Sequence, residues 1–279
     1  MIRLGAILLV VLVFSQVSCE GGSMQRQGGE RLDLRSLPEA TWERLAAKRI
    51  YFGHQSVGRN ILAGMADLLT ENPQIRLQVK DVADSAATGG SLYHWQVGRN
   101  GDPASKLAGF AGFMDGGGGE KADIAFFKFC YVDISPRTNI ETQFAAYREE
   151  MTRLQQRYPR VHFVHVTVPL TVCQAGLKAW AKGLLGKSPD GAEANINRNR
   201  FNDLLLQEFG KSGTVFDLAR SESLRPDGSQ EVFTSNGKRY LALFPGYSSD
   251  GGHLNEMGRR LVAADLLRFL ANLERAAGR

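Results

Sequence analysis

The stretch RIYFGHQSVGRNIL, residues 49–62, sets Ser56 between Gly53 and Gly58, where a β-rich run gives way to a helical pattern. A serine on such a tight strand-to-helix turn can act as a nucleophile, but a free hydroxyl is weak and needs a base to take its proton. Serine is also a favoured helix cap, so this stretch alone supports either role. Near the far end, SSDGGHLN places Asp250 three residues before His253 on a glycine-relaxed turn. That spacing lets a carboxylate reach the ring's Nδ1, fix its tautomer and support the imidazolium, which leaves Nε2 to accept a proton. The plainer reading makes Asp250 a cap for the last helix and His253 a surface residue. Hydroxyl, imidazole and carboxylate together are the parts of a Ser-His-Asp mechanism.

Positioning them falls to an alternation of strands and helices. The run RIYFGH precedes GRNILAGMADLLTENP, whose apolar residues recur at helical spacing and stop at Asn72-Pro73. IRLQVKDV alternates with period two, while DIAFFKFCYVDI and VHFVHVTVPL are near-continuous apolar runs, as in strands covered on both faces. IETQFAAYREEMTRLQQRYP and NINRNRFNDLLLQEF read as helices and TVFDLA as a further strand. EVFTSNGKRYLAL carries an Asn-Gly hairpin signal, and a last amphipathic helix runs from about Leu254 to Ala276. Residues 84–120, rich in Gly, Ser and Ala, read as loop and irregular helix, and 173–192 as an insertion over the sheet edge. This order predicts an α/β fold with a mainly parallel sheet and helices on both faces. Sites in such sheets lie beyond the carboxyl ends of the strands, where Ser56 falls.

The 279 residues, 43% hydrophobic and 23% charged, suit one α/β domain whose core needs neither disulfide nor metal. A net charge of +5 comes from Arg and Lys interleaved with Glu and Asp, without the dense basic stripe of a nucleic-acid binder. MIRLGAILLVVLVFSQVSC has Arg3, an apolar run from Leu4 to Phe14, then small and polar residues up to Cys19. That is the layout of a secretory signal peptide, and the apolar run is too short to span a membrane. QVSC resembles a bacterial lipobox, with Gln16 where Leu is usual. The resemblance implies lipidation of Cys19 and attachment to a bacterial envelope membrane. The chain then divides into a leader (1–18), a flexible Gly-rich tether (19–45) and a folded domain (46–279). Cys130 and Cys173 both follow adjacent predicted strands and are expected either to pair or to remain buried thiols. His162 and His165 fall on opposite faces of one strand and cannot share an ion, so no metal is expected. G-x-G-x-x-G and a phosphate-loop lysine are absent, which argues against a nucleotide site.

Taken together, the two stretches carry a family resemblance: over roughly residues 48–272 the chain resembles the SGNH/GDSL hydrolases. That resemblance implies a three-layer α/β/α sandwich on a flavodoxin-like sheet, a nucleophilic serine after the first strand and a D-x-x-H motif before the last helix. Ser56 matches the first position and Asp250 and His253 the second, within DGGHLNEMGRRLVA. The α/β-hydrolase elbow, G-x-S-x-G, does not fit Gly53-His-Gln-Ser56-Val-Gly58, which has one residue too many. The first block reads GHQSV in place of Gly-Asp-Ser-Leu. The second block's oxyanion-binding glycine is expected at Gly89 or Gly90, with Gly90 preferred. The third block, Gly-x-Asn-Asp, leaves Asp133 at the acid and Val132 at the asparagine position.

Losing one oxyanion donor costs roughly 2.7–4 kcal/mol, so Gln55, Tyr131 and His94 are the polar candidates to replace it. Each has a structural alternative. Tyr93 to Gln96, read as a loop, suits packing on a sugar ring or acyl chain, or else serves as an aromatic plug. The implied activity is a cofactor-free serine esterase or O-acyl hydrolase acting on an acetylated glycan, a lipid or a small ester. An O-acyltransferase differs only in the second nucleophile. The absent Asp and Asn motivate a rival from another class, a non-catalytic glycan-binding or scaffold protein on the same fold.

Overall fold

Strand β1 (Arg49–His54) divides the interior in two, because its alternate side chains enter different cores. The computed structural model describes residues 30–84, 90–173 and 191–276. Ile50 and Phe52 join Leu92, Phe126 and Val164 beneath one helical layer, and Tyr51 joins Tyr93, Phe127 and Phe163 beneath the other. The first layer holds α1 (Glu39–Ala46), α2 (Ser56–Glu71), α6 (Leu218–Ser223) and α7 (Glu256–Ala276). The second holds α3 (Pro103–Phe113), α4 (Ile140–Arg157) and α5 (Ala192–Phe209). Between them lie β2 (Val79–Asp81), β3 (Ser91–Gln96), β1, β4 (Ile124–Phe127), β5 (His162–Val166) and β6 (Val215–Phe216), in that spatial order and all parallel. A separate antiparallel hairpin, β7 (Val232–Ser235) and β8 (Lys238–Leu241), turns at Asn236-Gly237 as its sequence predicts. This is the expected α/β/α sandwich. Without edge strand β2 the order is flavodoxin-like, and the chain reverses direction across the sheet between β1 and β4.

Two expectations need correction. Residues 84–120 are not mainly loop: they contain β3, paired to β1 along its whole length, and α3. The missed helix start is Asp102, whose side chain accepts the Ser105 N–H, with Pro103 at the first helical position. Residues 30–45, expected within the tether, are packed onto the domain instead. Leu34, Trp42 and Leu45 are fully buried, and Arg31 pairs with Asp265 on α7. The leader, Cys19, Gly89 and 174–190 of the expected insertion lie outside the described residues.

Helices α2 and α7 touch most closely where Gly64 meets α7. A Cβ there would sit 2.3 Å from the Arg259 carbonyl oxygen and 3.1 Å from Ala263 Cβ. Arg259 pairs with Asp67 at 2.8 Å and Arg260 with Glu71 at 2.7 Å across the same contact. This clamp fixes the loop before α7 relative to the start of α2.

Candidate active site

Ser56 is the first residue of α2, and Gln55, extended at φ −134° and ψ −151°, takes the cap position. The capping alternative for Ser56 therefore falls away. Its hydroxyl has no hydrogen-bond partner within 3.5 Å among the described residues. The Gln55 carbonyl accepts from Arg59 N–H at 3.1 Å and from His54 Nδ1 at 2.9 Å. A trans peptide points its N–H opposite its C=O, so these bonds turn the Ser56 N–H outward, away from the helix. The first-turn N–H groups have no acceptor within α2, and they sit at the positive end of the helix dipole.

His54, 1% exposed, lies directly beneath that turn. A Cβ on Gly58 would come within 2.3 Å of the His54 Cβ, so only glycine permits this approach. Burial pushes the His54 pKa down to about 4, with the charges of His94, Lys128 and Arg59 adding to the effect. A carbonyl can only accept, so His54 donates through Nδ1 and its Nε2 accepts from His94 Nδ1 at 3.2 Å. His94 Nδ1 also lies 4.0 Å from Asp81. The structure thus engages His94 with His54 and the β2 edge. Its Nδ1, on a residue expected as an oxyanion donor, is thus engaged beneath α2.

At the other end, Asp250 Oδ2 meets His253 Nδ1 at 2.6 Å, while Oδ1 accepts Gly252 N–H at 2.9 Å and His253 N–H at 2.8 Å. The Gly252 N–H, the His253 ring and the His253 N–H hold the Asp250 carboxyl far below the usual carboxylate range. The ring donates through Nδ1, so Nε2 carries the lone pair. Their side chains are 39% and 56% exposed for His253 and Asp250, open to an incoming molecule. Asp250 is not the cap of α7. Asn255 is, its Oδ1 accepting the Gly258 N–H at 3.0 Å.

A closed circuit of contacts joins the two ends. Leu254 N–H donates to Asn60 Oδ1 at 3.3 Å, and Asn60 lies one turn after Ser56 on the same face of α2. The edge of the His253 ring meets Tyr131, with centroids 5.7 Å apart. Two residues on, Asp133 Oδ1 accepts the Gly101 N–H at 2.8 Å. The circuit closes through Gln55, whose Nε2 donates to Val97 O at 3.1 Å and Gly98 O at 2.8 Å. These contacts gather the start of α2, the 250–254 loop, Tyr131 and the 98–101 loop beyond the carboxyl ends of β3, β1 and β4. Among the described residues no hydrogen bond joins Ser56 to His253.

Other expected site residues move elsewhere. Gln55 spends both amide protons on the 97–98 carbonyls, so it braces the loop and is not an oxyanion donor. Gly90 precedes β3 at the amino end of the sheet, with its would-be Cβ 2.2 Å from Ala46 O. A strand of six residues, about 20 Å, separates it from Ser56, which excludes it from the oxyanion site. Tyr131 is at the site, its ring over the Arg198 guanidinium at 5.7 Å. Val132 is 44% exposed, whereas Asp133 is fully buried, binding Lys106 Nζ at 2.5 Å and Cys130 N–H at 2.6 Å. Cys130 and Cys173 are both buried free thiols, and no disulfide joins them. Sequence reasoning missed His54, Asn60, Asn100 and Lys106. Only Asn60 carried a signal, its i+4 spacing from Ser56.

No protein-family model and no curated protein sequence matches the chain. Among solved structures it is similar to a protein from Streptococcus pneumonia described as a platelet activating factor: TM-score 0.44, 12% identity, 89% of this chain and 93% of that one. It is similar to a protein from Desulfitobacterium hafniense described as a lipolytic protein of the G-D-S-L family: TM-score 0.44, 10% identity, 80% and 99% covered. A third is the periplasmic domain of a lipopolysaccharide acetyltransferase from Salmonella ser. Paratyphi A: TM-score 0.40, 11% identity, 89% and 97% covered.

Proposed function

We propose that the protein is a serine esterase or O-acyl hydrolase. One observation carries this reading: the Leu254–Asn60 bond delivers the Asp250–His253 pair to the first turn of the helix that Ser56 begins. His253 Nε2 takes the proton as Ser56 Oγ attacks an ester carbonyl carbon, and the negative charge moves to the carbonyl oxygen. The outward Ser56 N–H and the helix dipole stabilise that oxyanion. Collapse breaks the bond to the alcohol, which leaves with the proton from His253. Water then attacks the acyl-enzyme, again losing its proton to His253, and frees the acid. A sugar hydroxyl in place of that water makes the same site an acyltransferase.

The exposure of His253 and Asp250 supports a polymer-borne ester as substrate, such as an acetylated glycan, and the leader with Cys19 supports an envelope-anchored enzyme. Incubation with a fluorophosphonate probe tests the reaction. The wild type labels and Ser56→Ala does not, and p-nitrophenyl acetate turnover follows the same pattern. A folded wild type that neither labels nor turns over, while retaining glycan binding, overturns the enzyme in favour of a binding protein. Radiolabelled palmitate incorporation that persists in Cys19→Ala rejects the anchor.

A further inference from the structure

Val132, in the loop after β4, leaves that loop without the amide donor that the third block would supply. We infer that Asn100, on the opposite loop after β3, supplies that donor and is a catalytic residue for the oxyanion. The inference rests on the acyl-transfer reading above. Asn100 is exposed and lies between the two bonds that tie its loop across the end of β1: Gly98 O to Gln55, and Gly101 N–H to Asp133. Its Oδ1 accepts from Lys106 Nζ at 2.9 Å. Lys106 and Asp133, at 2.5 Å, are both 0% exposed.

A buried ion pair is weak evidence for stability, because desolvation offsets much of its attraction. Here it holds one end of an exposed amide in place. The planar amide can present only its NH2 at the other end, and that group has no partner among the described residues. Asn60, the other amide nearby, holds its Oδ1 to Leu254 N–H, a backbone link on the His253 side. In this assignment the Ser56 N–H reaches an acyl oxygen from α2 and the Asn100 NH2 reaches it from the 98–101 loop. A donor whose orientation is fixed before substrate arrives stabilises developing charge without reorganising.

Three variants decide the matter, each assayed on full-length protein with p-nitrophenyl acetate and with the fluorophosphonate probe. Asn100→Ala lowers kcat and the labelling rate about 100- to 1000-fold, with KM within about twofold, and melts somewhat lower because the buried Lys106 loses an acceptor. Asn100→Asp keeps an acceptor for Lys106 but loses the NH2, and it is as slow as Asn100→Ala. Arg160→Ala, an exposed change before β5 at the amino end of the sheet, keeps wild-type rates. Wild-type rates in Asn100→Ala, with Ser56→Ala dead, overturn the Asn100 role and leave the esterase reading standing. Rescue by Asn100→Asp makes the residue a loop anchor and overturns it too. A wild type inert to both reagents overturns both readings.

Discussion

In the proposed reaction His253 works only through the company that Asp250 keeps. Three of the acid's four hydrogen bonds come from residues 252 and 253 and the fourth from the Ser248 hydroxyl at 3.3 Å, so the pair is assembled within one loop before it meets α2. Asp250→Asn retains an oxygen for the Gly252 and His253 N–H groups, and the loop keeps its shape. It also presents an NH2 or a neutral oxygen to Nδ1, favouring the wrong tautomer and withdrawing support from the imidazolium. kcat for p-nitrophenyl acetate should fall about 10⁴-fold in this variant, as in other triads with that change, while binding is little altered. A loss under tenfold would mean that the acid is not part of the proton path. Tyr131 has a quieter part: with Arg198 beneath it and the His253 ring against its side, it limits how far the imidazole can swing.

Between elements, the α2–α7 contact sets the distance from Ser56 to His253. Alanine is favoured over glycine within a helix by about 1 kcal/mol, so Gly64→Ala would stabilise α2 if there were room. There is none. The added Cβ would meet the Arg259 backbone carbonyl at 2.3 Å, and backbone cannot rotate away as a side chain does. Overpacking of this kind costs about 1–3 kcal/mol and outweighs the propensity gain. Urea unfolding should show Gly64→Ala less stable than the wild type, and kcat should fall because α7 carries the Asp250–His253 loop with it. A more stable variant would show that the two helices are further apart than described. On the other face, α5 supports the loop after β5 through asparagines rather than a strand. Asn202 bonds both Val168 N–H and C=O, and Asn195 does the same for Thr171.

Across the whole molecule, buried histidines set the acid limit. Burial pushes His165 down to about 3, where it accepts from or donates to Tyr147 and Gln155 inside the second core. The unfolded chain protonates that ring near pH 6.5 and the folded chain does not. Stability from this residue is thus fully present above about 6.5 and declines as pH falls toward 3, by at most about 1.4 kcal/mol per pH unit. His165→Gln, which retains a polar partner for Tyr147, should lose less stability between pH 7 and 5 than the wild type in urea titrations. Equal losses would mean that His165 is solvated.

The sequence alone determined the layered α/β order, the Ser56 turn, the Asp250–His253 pair and the Asn236-Gly237 hairpin. Each is written in local spacing: apolar period, glycine placement, or an acid three residues from its histidine. It did not determine that Gly90 lies at the wrong end of β3, that Gln55 spends its amide on a neighbouring loop, or that Lys106 reaches Asp133 and Asn100. Those facts depend on which strand ends meet, and strand order is settled by burial of side chains far apart in the chain, which no local pattern records.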